Sequence, residues 1–377
     1  MLPTSGGQGR FSHIDALRGL AALAVAYFHF FGVLVGGSED VSLLDVLIKR
    51  AVVEWIDLGR AAVLLFFVIS GYVVARSVRS APSHHVARFA IRRLFRLYPM
   101  YWAALGIYLL WTGTYGFEDV WRNLVMIQVP AWPPLTVVSV AWTMTVEVVF
   151  YALCTGLFLL GVLQRPAGLA AVSALFLGLA VVSAVGRTYF SIDIPFEWPL
   201  FLSLMFAGAL LRELDERGTA RRGVVVAIAA AVYLPIILSL SWLMFADETI
   251  HQKTWYRHFN AYAVAIAAFL AVHYFWRIRS RLLAYLGRIS YSIYLLHGVV
   301  GAMVIAGLDG IGFATDQSPH LAMLEILSVT VLASAVTYRT IEAPFIAASH
   351  RWATAIGLPR PRMSGSAAVL GGDSKAG

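Results

Sequence analysis

Apolar stretches separated by short polar connectors run along most of the chain. Ten of them are interpreted as membrane-crossing helices. They cover residues 17–36, 58–75, 94–111, 138–160, 167–185, 199–211, 224–245, 261–276, 289–307 and 321–341. The sixth is short, and His297 with Gly298 interrupts the ninth. The pattern predicts an all-α fold, a polytopic membrane bundle of about ten transmembrane helices.

Basic residues fall mainly in alternate connectors, and this alternation predicts the orientation. Segments 77–93, 212–222 and 277–281 are strongly basic, and with ten spans they lie on the same side as the N-terminus. The connectors in between carry fewer cations and more acids. Because Lys and Arg are enriched in cytoplasmic loops, both termini are predicted to be cytoplasmic.

The C-terminal end of the chain differs in composition from the rest. After Trp352 the sequence is small, Gly/Ser/Pro-rich and without apolar periodicity. We therefore predict a transmembrane domain over residues 1–345 and a disordered cytoplasmic tail over residues 346–377. The N-terminal apolar run contains Arg18 and His29 and has no small-x-small cleavage site, so it is not interpreted as a signal peptide.

Composition agrees with the membrane assignment. The 377 residues are 59% hydrophobic and 13% charged, with a mean hydropathy of +0.75, whereas soluble domains are about a quarter charged. The net charge of +8 follows the loop topology, so nucleic-acid binding is not expected. A single cysteine, Cys154, excludes an intramolecular disulfide and a cysteine metal cluster, and no metal site is predicted.

Two ionisable residues in the first span give the first indication of chemistry. Arg18 and His29 lie eleven positions apart, which is three helical turns with a drift of roughly 20° and a rise of about 16 Å. They therefore share one helix face. Because ionisable groups inside a membrane are costly, they usually face a protein interior or a watery cavity. This face predicts a site with a cationic mouth at Arg18 and a reactive imidazole at His29.

A run of arginines leads into the third span. Arg88, Arg92, Arg93 and Arg96 recur at helical spacing, which is typical of positive-inside topology and lipid head-group contact. A sharper interpretation is a phosphate clamp, because guanidinium groups bind phosphate in bidentate fashion. Arg96 favours the clamp, since it continues into an apolar segment. Pro99 is expected to kink or break the helix there and to open a cavity.

The fourth span contains a carboxylate near its middle. Glu147 follows Trp142 and precedes Tyr151 by one turn. It is either a protonated group bonded to a neighbouring helix or a functional acid. By helical rise, His29 and Glu147 lie about 10 and 13 Å below the same membrane boundary. We therefore expect Glu147 to orient the His29 imidazole, with Trp142 and Tyr151 beside it as binding residues.

Three further segments carry polar residues. Tyr294 and His297 can share a face of the ninth span, either as hydrogen-bonded core or as binding residues. Arg339 and Glu342 are expected to form an interfacial ion pair. The adjacent Ser70 and Gly71 of the second span indicate close helix packing.

Together these segments resemble a known family. The ordered set resembles the acyltransferase 3 family of bacterial membrane acyltransferases over about the first 345 residues, in the segments IDALRGLAALAVAYFHF, FFVISGYVVAR, RRLFRLYPMYW, AWTMTVEVVFYAL, LGRISYSIYLLH and TIEAPF. The resemblance implies ten membrane helices and transfer of an acyl group, commonly acetyl from acetyl-CoA, to sugars or other hydroxyl-bearing molecules. No permanently bound cofactor is implied, and acyl-CoA is the donor substrate.

The resemblance also assigns roles to residues. It implies that His29 is the essential histidine, Arg18 its partner, and Arg93 with Arg96 the pair linked to CoA binding. Glu147 matches a motif glutamate usually found in Trp-Ser-Leu-x-x-Glu, which here begins Trp142-Thr143. The chain has no hydrolase-like extension of the kind that some members carry, so the membrane domain or a partner would handle the acceptor.

Two chemical routes and one rival function follow from these residues. His29 could act as a general base on the acceptor hydroxyl or become acylated itself. Candidate acceptors are surface polysaccharide, lipopolysaccharide sugar, peptidoglycan and a secreted macrolide-type metabolite. A secondary transporter of a small anionic or sugar-like solute would also place charges at mid-membrane, although it usually has related halves and paired broken helices. A non-enzymatic sensor is a third class.

Overall fold

The fold is all-α, as predicted. A computed structural model of the protein describes residues 12–37, 41–79, 85–113, 115–126, 136–192, 195–246, 254–310 and 318–355, and every regular element within these ranges is helical. The first eight helices are α1 Ser12–Gly37, α2 Leu43–Lys49, α3 Leu58–Arg79, α4 His85–Thr112, α5 Phe117–Leu124, α6 Trp142–Leu159, α7 Pro166–Phe190 and α8 Glu197–Glu216.

The second half of the chain continues in the same way. Its helices are α9 Arg222–Ile228, α10 Leu234–Phe245, α11 Trp255–Tyr274, α12 Arg281–Arg288, α13 Ser290–Gly310, α14 Pro319–Thr337 and α15 Ala343–Ala355. Wider π-helical turns occupy Arg50–Trp55, Ala229–Tyr233 and Tyr338–Glu342. The last two join α9 to α10 and α14 to α15 without interrupting the helical path.

Within the described residues, seven helical stretches are long and apolar enough to cross a membrane. They are His13–Gly36, Leu58–Ala75, Ser139–Leu159, Pro166–Phe190, Arg222–Phe245, Ser290–Leu308 and Pro319–Ala355. These correspond to predicted spans one, two, four, five, seven, nine and ten. The interruption expected in span nine does not occur, because α13 runs through His297 and Gly298 without a break.

The other three predicted spans lie in α4, α8 and α11. These helices have 28, 20 and 20 residues, so their length suffices for a crossing. They carry polar residues such as Arg96, Arg212 and His258, which lower their hydropathy. The total of ten spans and the cytoplasmic termini therefore remain predictions, and membrane insertion rests on the seven apolar stretches.

The third span begins earlier than expected. Helix α4 is continuous from His85 to Thr112 and includes Pro99, so the predicted break at this proline is wrong. The arginines therefore sit on the same rigid helix as the apolar segment that follows them. This continuity fixes their height relative to the rest of the bundle.

Helix α3 occupies the centre of the bundle and packs against α1, α6, α8 and α11. At Gly71 an added Cβ would lie 1.8 Å from the carbonyl oxygen of Met205 in α8, so only glycine permits this crossing. The close packing predicted from the Ser70–Gly71 pair is confirmed. It also turns Ser70 toward the space between α3 and α6.

The C-terminal helix α15 runs past the predicted domain boundary at residue 345 and packs on α4. The first part of the predicted disordered tail, up to Ala355, is therefore helical. Residues 356–377 lie outside the described part of the chain.

Candidate active site

A cavity of about 160 Å³ lies between α1, α3, α4, α6 and α13. Five of the residues singled out from the sequence line it: Arg18, Arg93, Arg96, Glu147 and Tyr294. They come from four helices that are distant in sequence. Apolar side chains of α3, including those of Val63, Phe66 and Phe67, form the remaining wall.

Arg93 is held rigidly at the rim of this cavity. Its Nη2 donates a hydrogen bond to the hydroxyl of Ser77 at 2.7 Å. Its guanidinium group also lies over the rings of Phe89 and Tyr151, at 5.5 and 5.3 Å from their centroids. Such stacking leaves the edge of the guanidinium group available for a further hydrogen bond.

Arg18 and Arg96 are different because no acidic side chain in the described ranges forms an ion pair with either of them. They lie close enough to interact electrostatically with each other and with Asp15 and Glu342, and Arg18 also interacts with Glu147. The lining of the cavity itself carries three guanidinium groups and one carboxylate. Such an excess of positive charge in the lining favours an anionic ligand such as a phosphate.

Glu147 is fixed by two hydroxyl groups. Its Oε1 accepts hydrogen bonds from Ser70 at 2.9 Å and from Tyr151 at 2.5 Å. Since neither bond involves an imidazole, the expected pairing of Glu147 with His29 is not formed. The sequence compared only the depths of the two groups in the membrane. In the structure, the rotation of each helix about its own axis directs Glu147 toward α3 and His29 toward α13.

The partner of His29 is His297. The Nδ1 of His29 and the Nε2 of His297 are 2.8 Å apart, and the two rings are stacked with an interplanar angle of 2°. The Nδ1 of His297 in turn lies 2.8 Å from the carbonyl oxygen of Tyr294. His297 is almost completely buried, at 1% exposure, while His29 is exposed.

This chain of hydrogen bonds defines the tautomers of both neutral rings. A carbonyl oxygen can only accept, so Nδ1 of His297 carries a proton and Nε2 of the same ring does not. Nε2 of His297 must then accept from Nδ1–H of His29. Nε2 of His29 is left with a free lone pair, which is the protonation state that a general base requires.

Tyr294 connects the imidazole pair with the cavity. Its side chain lines the cavity, and its hydroxyl lies 3.0 Å from the hydroxyl of Thr143. Its backbone carbonyl orients His297. The same residue thus contributes to both parts of the site.

Two residues predicted to bind substrate lie elsewhere. Arg92 does not line the cavity and instead interacts electrostatically with His350 of α15. Trp142 packs its ring between those of Phe67 and Phe201, at centroid distances of 6.4 and 5.8 Å. Tyr151 contacts the site through Glu147 and Arg93 rather than through the cavity wall.

Other polar contacts were not anticipated from the sequence. Ser70 was interpreted only as a packing residue, yet its hydroxyl binds Glu147. Glu342 is 2% exposed and accepts a hydrogen bond from Ser292, while Arg339 is exposed, so the expected ion pair between them is wrong. Tyr291 lines the cavity and donates to the carbonyl of Leu97. The only sequence signal for these residues was a polar side chain inside an apolar run.

Comparison with known proteins decides the family. The sequence profile of acyltransferase 3, described as an acyltransferase domain, matches residues 11–339, which is most of the chain. The chain is a member of the acyltransferase 3 family. The matched region contains both the arginine cavity and the imidazole pair of this acyltransferase 3 chain, so the family assignment covers the candidate site.

Three relatives illustrate what this acyltransferase 3 chain is similar to. BcsY of Komagataeibacter xylinus, named as a membrane-bound transacylase, is 26% identical over 87% of the chain and 81% of its own length. The exopolysaccharide production protein ExoZ of Rhizobium meliloti is 25% identical over 77% of the chain and 90% of its own length. Acyltransferase MdmB of Streptomyces mycarofaciens is 30% identical over 38% of each protein. No solved structure matches the chain.

Proposed function

We propose that this protein is an O-acyltransferase that moves an acyl group, acetyl in the simplest case, from acyl-CoA to a hydroxyl of a sugar or cell-surface glycan. The observation that carries the proposal is the hydrogen-bond chain that leaves Nε2 of His29 free and that leads through Tyr294 to a cavity lined by three arginines. Family membership supplies the reaction class. A secreted metabolite is the other acceptor that fits this chemistry.

The donor is assigned to the arginine cavity. The phosphates of acyl-CoA would bind Arg18, Arg93 and Arg96, whose positive charge is not balanced by the single carboxylate there. A phosphate or pyrophosphate is the ligand that several guanidinium groups bind best. With the nucleotide at these arginines, the pantetheine arm would extend along α1 from Arg18 toward His29, a rise of about 16 Å.

The transfer itself needs one proton acceptor. Nε2 of His29 takes the proton of the acceptor hydroxyl as its oxygen forms a bond to the thioester carbonyl carbon. The carbon–sulfur bond then breaks, and the CoA thiolate leaves and takes up the proton from the imidazolium. An ester and free CoA result, so atoms and charges balance. General base catalysis of this kind contributes about 10²–10⁴ in rate.

His297 acts as a positioning residue. Its Nε2 accepts a hydrogen bond from Nδ1–H of His29, which fixes both the tautomer and the plane of the ring. The carboxylate of a serine-protease triad serves the same orienting purpose for its histidine. Here a neutral imidazole does so, because its own Nδ1–H is bound by a carbonyl.

The relatives favour a polysaccharide acceptor. The names of BcsY and ExoZ refer to membrane transacylation and to exopolysaccharide production, and both proteins match most of the chain. An enzyme with cytoplasmic acyl-CoA and a surface glycan as substrates belongs in the bacterial cytoplasmic membrane. We therefore propose that location, with both termini in the cytoplasm.

Comparative mass spectrometry tests the proposal. Surface glycans and secreted metabolites are compared between cells that carry the wild-type protein, His29→Ala and His320→Ala. The last is a matched control, because His320 is an exposed histidine that binds Asp45 away from the cavity. We expect one O-acyl ester to disappear only in His29→Ala cells. Identical ester content in all three would overturn the proposal, and solute uptake without ester formation would favour a transporter.

A further inference from the structure

A second group of charged residues lies near His29, at the end of the bundle opposite Arg18. Arg60 in the first turn of α3 forms an ion pair with Glu197, the first residue of α8. Arg257 in the first turn of α11 forms another with Asp57, at 3.1 Å. These four residues are named the paired-charge cluster. Their side chains are 14 to 28% exposed, so the cluster is partly open.

Contacts between helices place this cluster beside the imidazole. An added Cβ at Gly59 would lie 2.4 Å from the ring of Phe28, so the start of α3 packs directly against the residue that precedes His29. Asp57 also interacts electrostatically with His29. The paired-charge cluster is therefore next to the exposed imidazole and on the opposite side of it from the donor arginines.

A buried hydroxyl within the cluster lacks a protein partner. Tyr262 is fully buried, and its hydroxyl makes no hydrogen bond to any residue that the structure describes. It interacts electrostatically with Glu197 and Arg60. A buried hydroxyl without a partner costs free energy, so a ligand hydroxyl that reached Tyr262 would bind there favourably.

An exposed aromatic ring borders the same region. Trp55 is 64% exposed, and its carbonyl accepts a hydrogen bond from Asn260 of α11. Val53, in the same π-helical turn, lies 3.7 Å from the position of a Cβ on Gly32, one helical turn beyond His29. The aromatic face of Trp55 can stack on apolar C–H groups, and the paired charges can hydrogen-bond to hydroxyls. Together they fit a neutral ligand that has apolar C–H faces and many hydroxyls.

We propose that the paired-charge cluster, together with Tyr262 and Trp55, binds the carbohydrate acceptor and presents one of its hydroxyls to Nε2 of His29. The proposal rests on the acyl transfer proposed above and adds the acceptor site to it. Carboxylates and guanidinium groups that are already paired offer lone pairs and N–H groups to sugar hydroxyls without attracting an anion. The donor and the acceptor would thus approach His29 from opposite sides.

Tyr262→Phe provides the sharpest test, because it removes only the unpartnered hydroxyl. The probe is the unacylated glycan purified from His29→Ala cells, assayed with acetyl-CoA in proteoliposomes. We expect KM for the glycan to rise about tenfold, as for loss of one hydrogen bond, with KM for acetyl-CoA unchanged. Tyr274→Phe is the matched control: its hydroxyl is also buried without a described partner, at the far end of the same helix.

A second variant addresses the charges. Asp57 has a left-handed backbone (φ 52°) and accepts a hydrogen bond from the backbone N–H of Arg60. Asp57→Asn tolerates this backbone and keeps the hydrogen bond, so it should fold while it removes the charge. We expect it to raise KM for the glycan and to leave KM for acetyl-CoA unchanged.

The outcomes separate this inference from the proposed function. If no glycan loses its ester in His29→Ala cells, the proposed acyl transfer is wrong, and the proposed acceptor site is wrong as well. If transfer requires His29 but both variants keep the wild-type KM for the glycan, only the acceptor site is wrong. Equal increases in KM for glycan and acetyl-CoA would indicate a structural role for the cluster and would also overturn the inference.

Discussion

The two ends of the site differ in whether their arginines form ion pairs with acids. At the Arg18 end, Arg18 and Arg96 face a cavity without forming an ion pair to any described acid. At the His29 end, Arg60 and Arg257 are each paired with a carboxylate. A cavity lining with more arginines than acids favours a ligand that supplies an anion, whereas paired charges are stable without one.

This contrast supports the ligands proposed for each end. An anionic donor would gain from the excess of positive charge, and a neutral polyhydroxyl acceptor would gain from groups that hydrogen-bond without net charge. The reactive imidazole lies between the two ends, and no acid in the described ranges is hydrogen-bonded to it. Its proton-accepting state comes from a second histidine and a backbone carbonyl.

Loss of the base should have the largest effect. His29→Ala is expected to lower turnover by about 10²–10⁴ while donor and acceptor KM change little, because binding at the two ends does not use the imidazole. Turnover and both KM values are measured in proteoliposomes, with His320→Ala as the control. Near-normal turnover in His29→Ala would show that His29 is not the base and that another residue accepts the proton.

Loss of the positioning histidine should come next. His297→Ala leaves His29 in place but releases its tautomer and ring plane, so we expect a loss in turnover of up to about 10²-fold. In the double variant with His29→Ala, turnover should equal that of His29→Ala alone, because the two rings act as one unit. Fully multiplied losses would show that His297 works independently of His29.

Loss of an arginine at the donor end should weaken the binding of acetyl-CoA selectively. Hydrogen bonds to charged groups contribute about 1.5–3 kcal/mol, so Arg96→Ala should raise KM for acetyl-CoA about ten- to hundredfold. It should have little effect on S-acetyl-N-acetylcysteamine, which lacks the nucleotide. Arg92→Ala, one turn away on the same helix but outside the cavity, is the matched control. Equal losses for both donors would point to a structural role for Arg96.

The smallest expected effect is the coupling between Glu147 and the imidazole pair. Glu147 binds Ser70 and Tyr151, so it shares no partner with His29 or His297. The losses from Glu147→Gln and His297→Ala should therefore multiply in the double variant, with a coupling energy within about 0.5 kcal/mol. A double variant no slower than the worse single variant would show that Glu147 acts through the imidazole pair.

Much of the fold could be read from the sequence because it depends on local patterns. Hydropathy located the seven apolar stretches that can cross a membrane, and helical spacing located Arg18, Arg93 and Arg96 on faces that meet at the cavity. The depth argument gave the height of Glu147 in the membrane but not the direction in which its side chain points. The rotation of α6 and α13 about their own axes depends on packing between distant segments, such as the glycine crossing at Gly71, and no local pattern specifies it. For that reason the sequence placed His297 in a span but did not identify it as the partner of His29.

Tyr294 has a consequence for how this enzyme can change. Its phenol ring lines the cavity, but the group that holds His297 is its backbone carbonyl, which every amino acid possesses. A substitution at position 294 can therefore enlarge or reshape the cavity and leave the imidazole tautomers intact. Evolution, or a laboratory library restricted to this codon, can vary the wall of the cavity without removing the base.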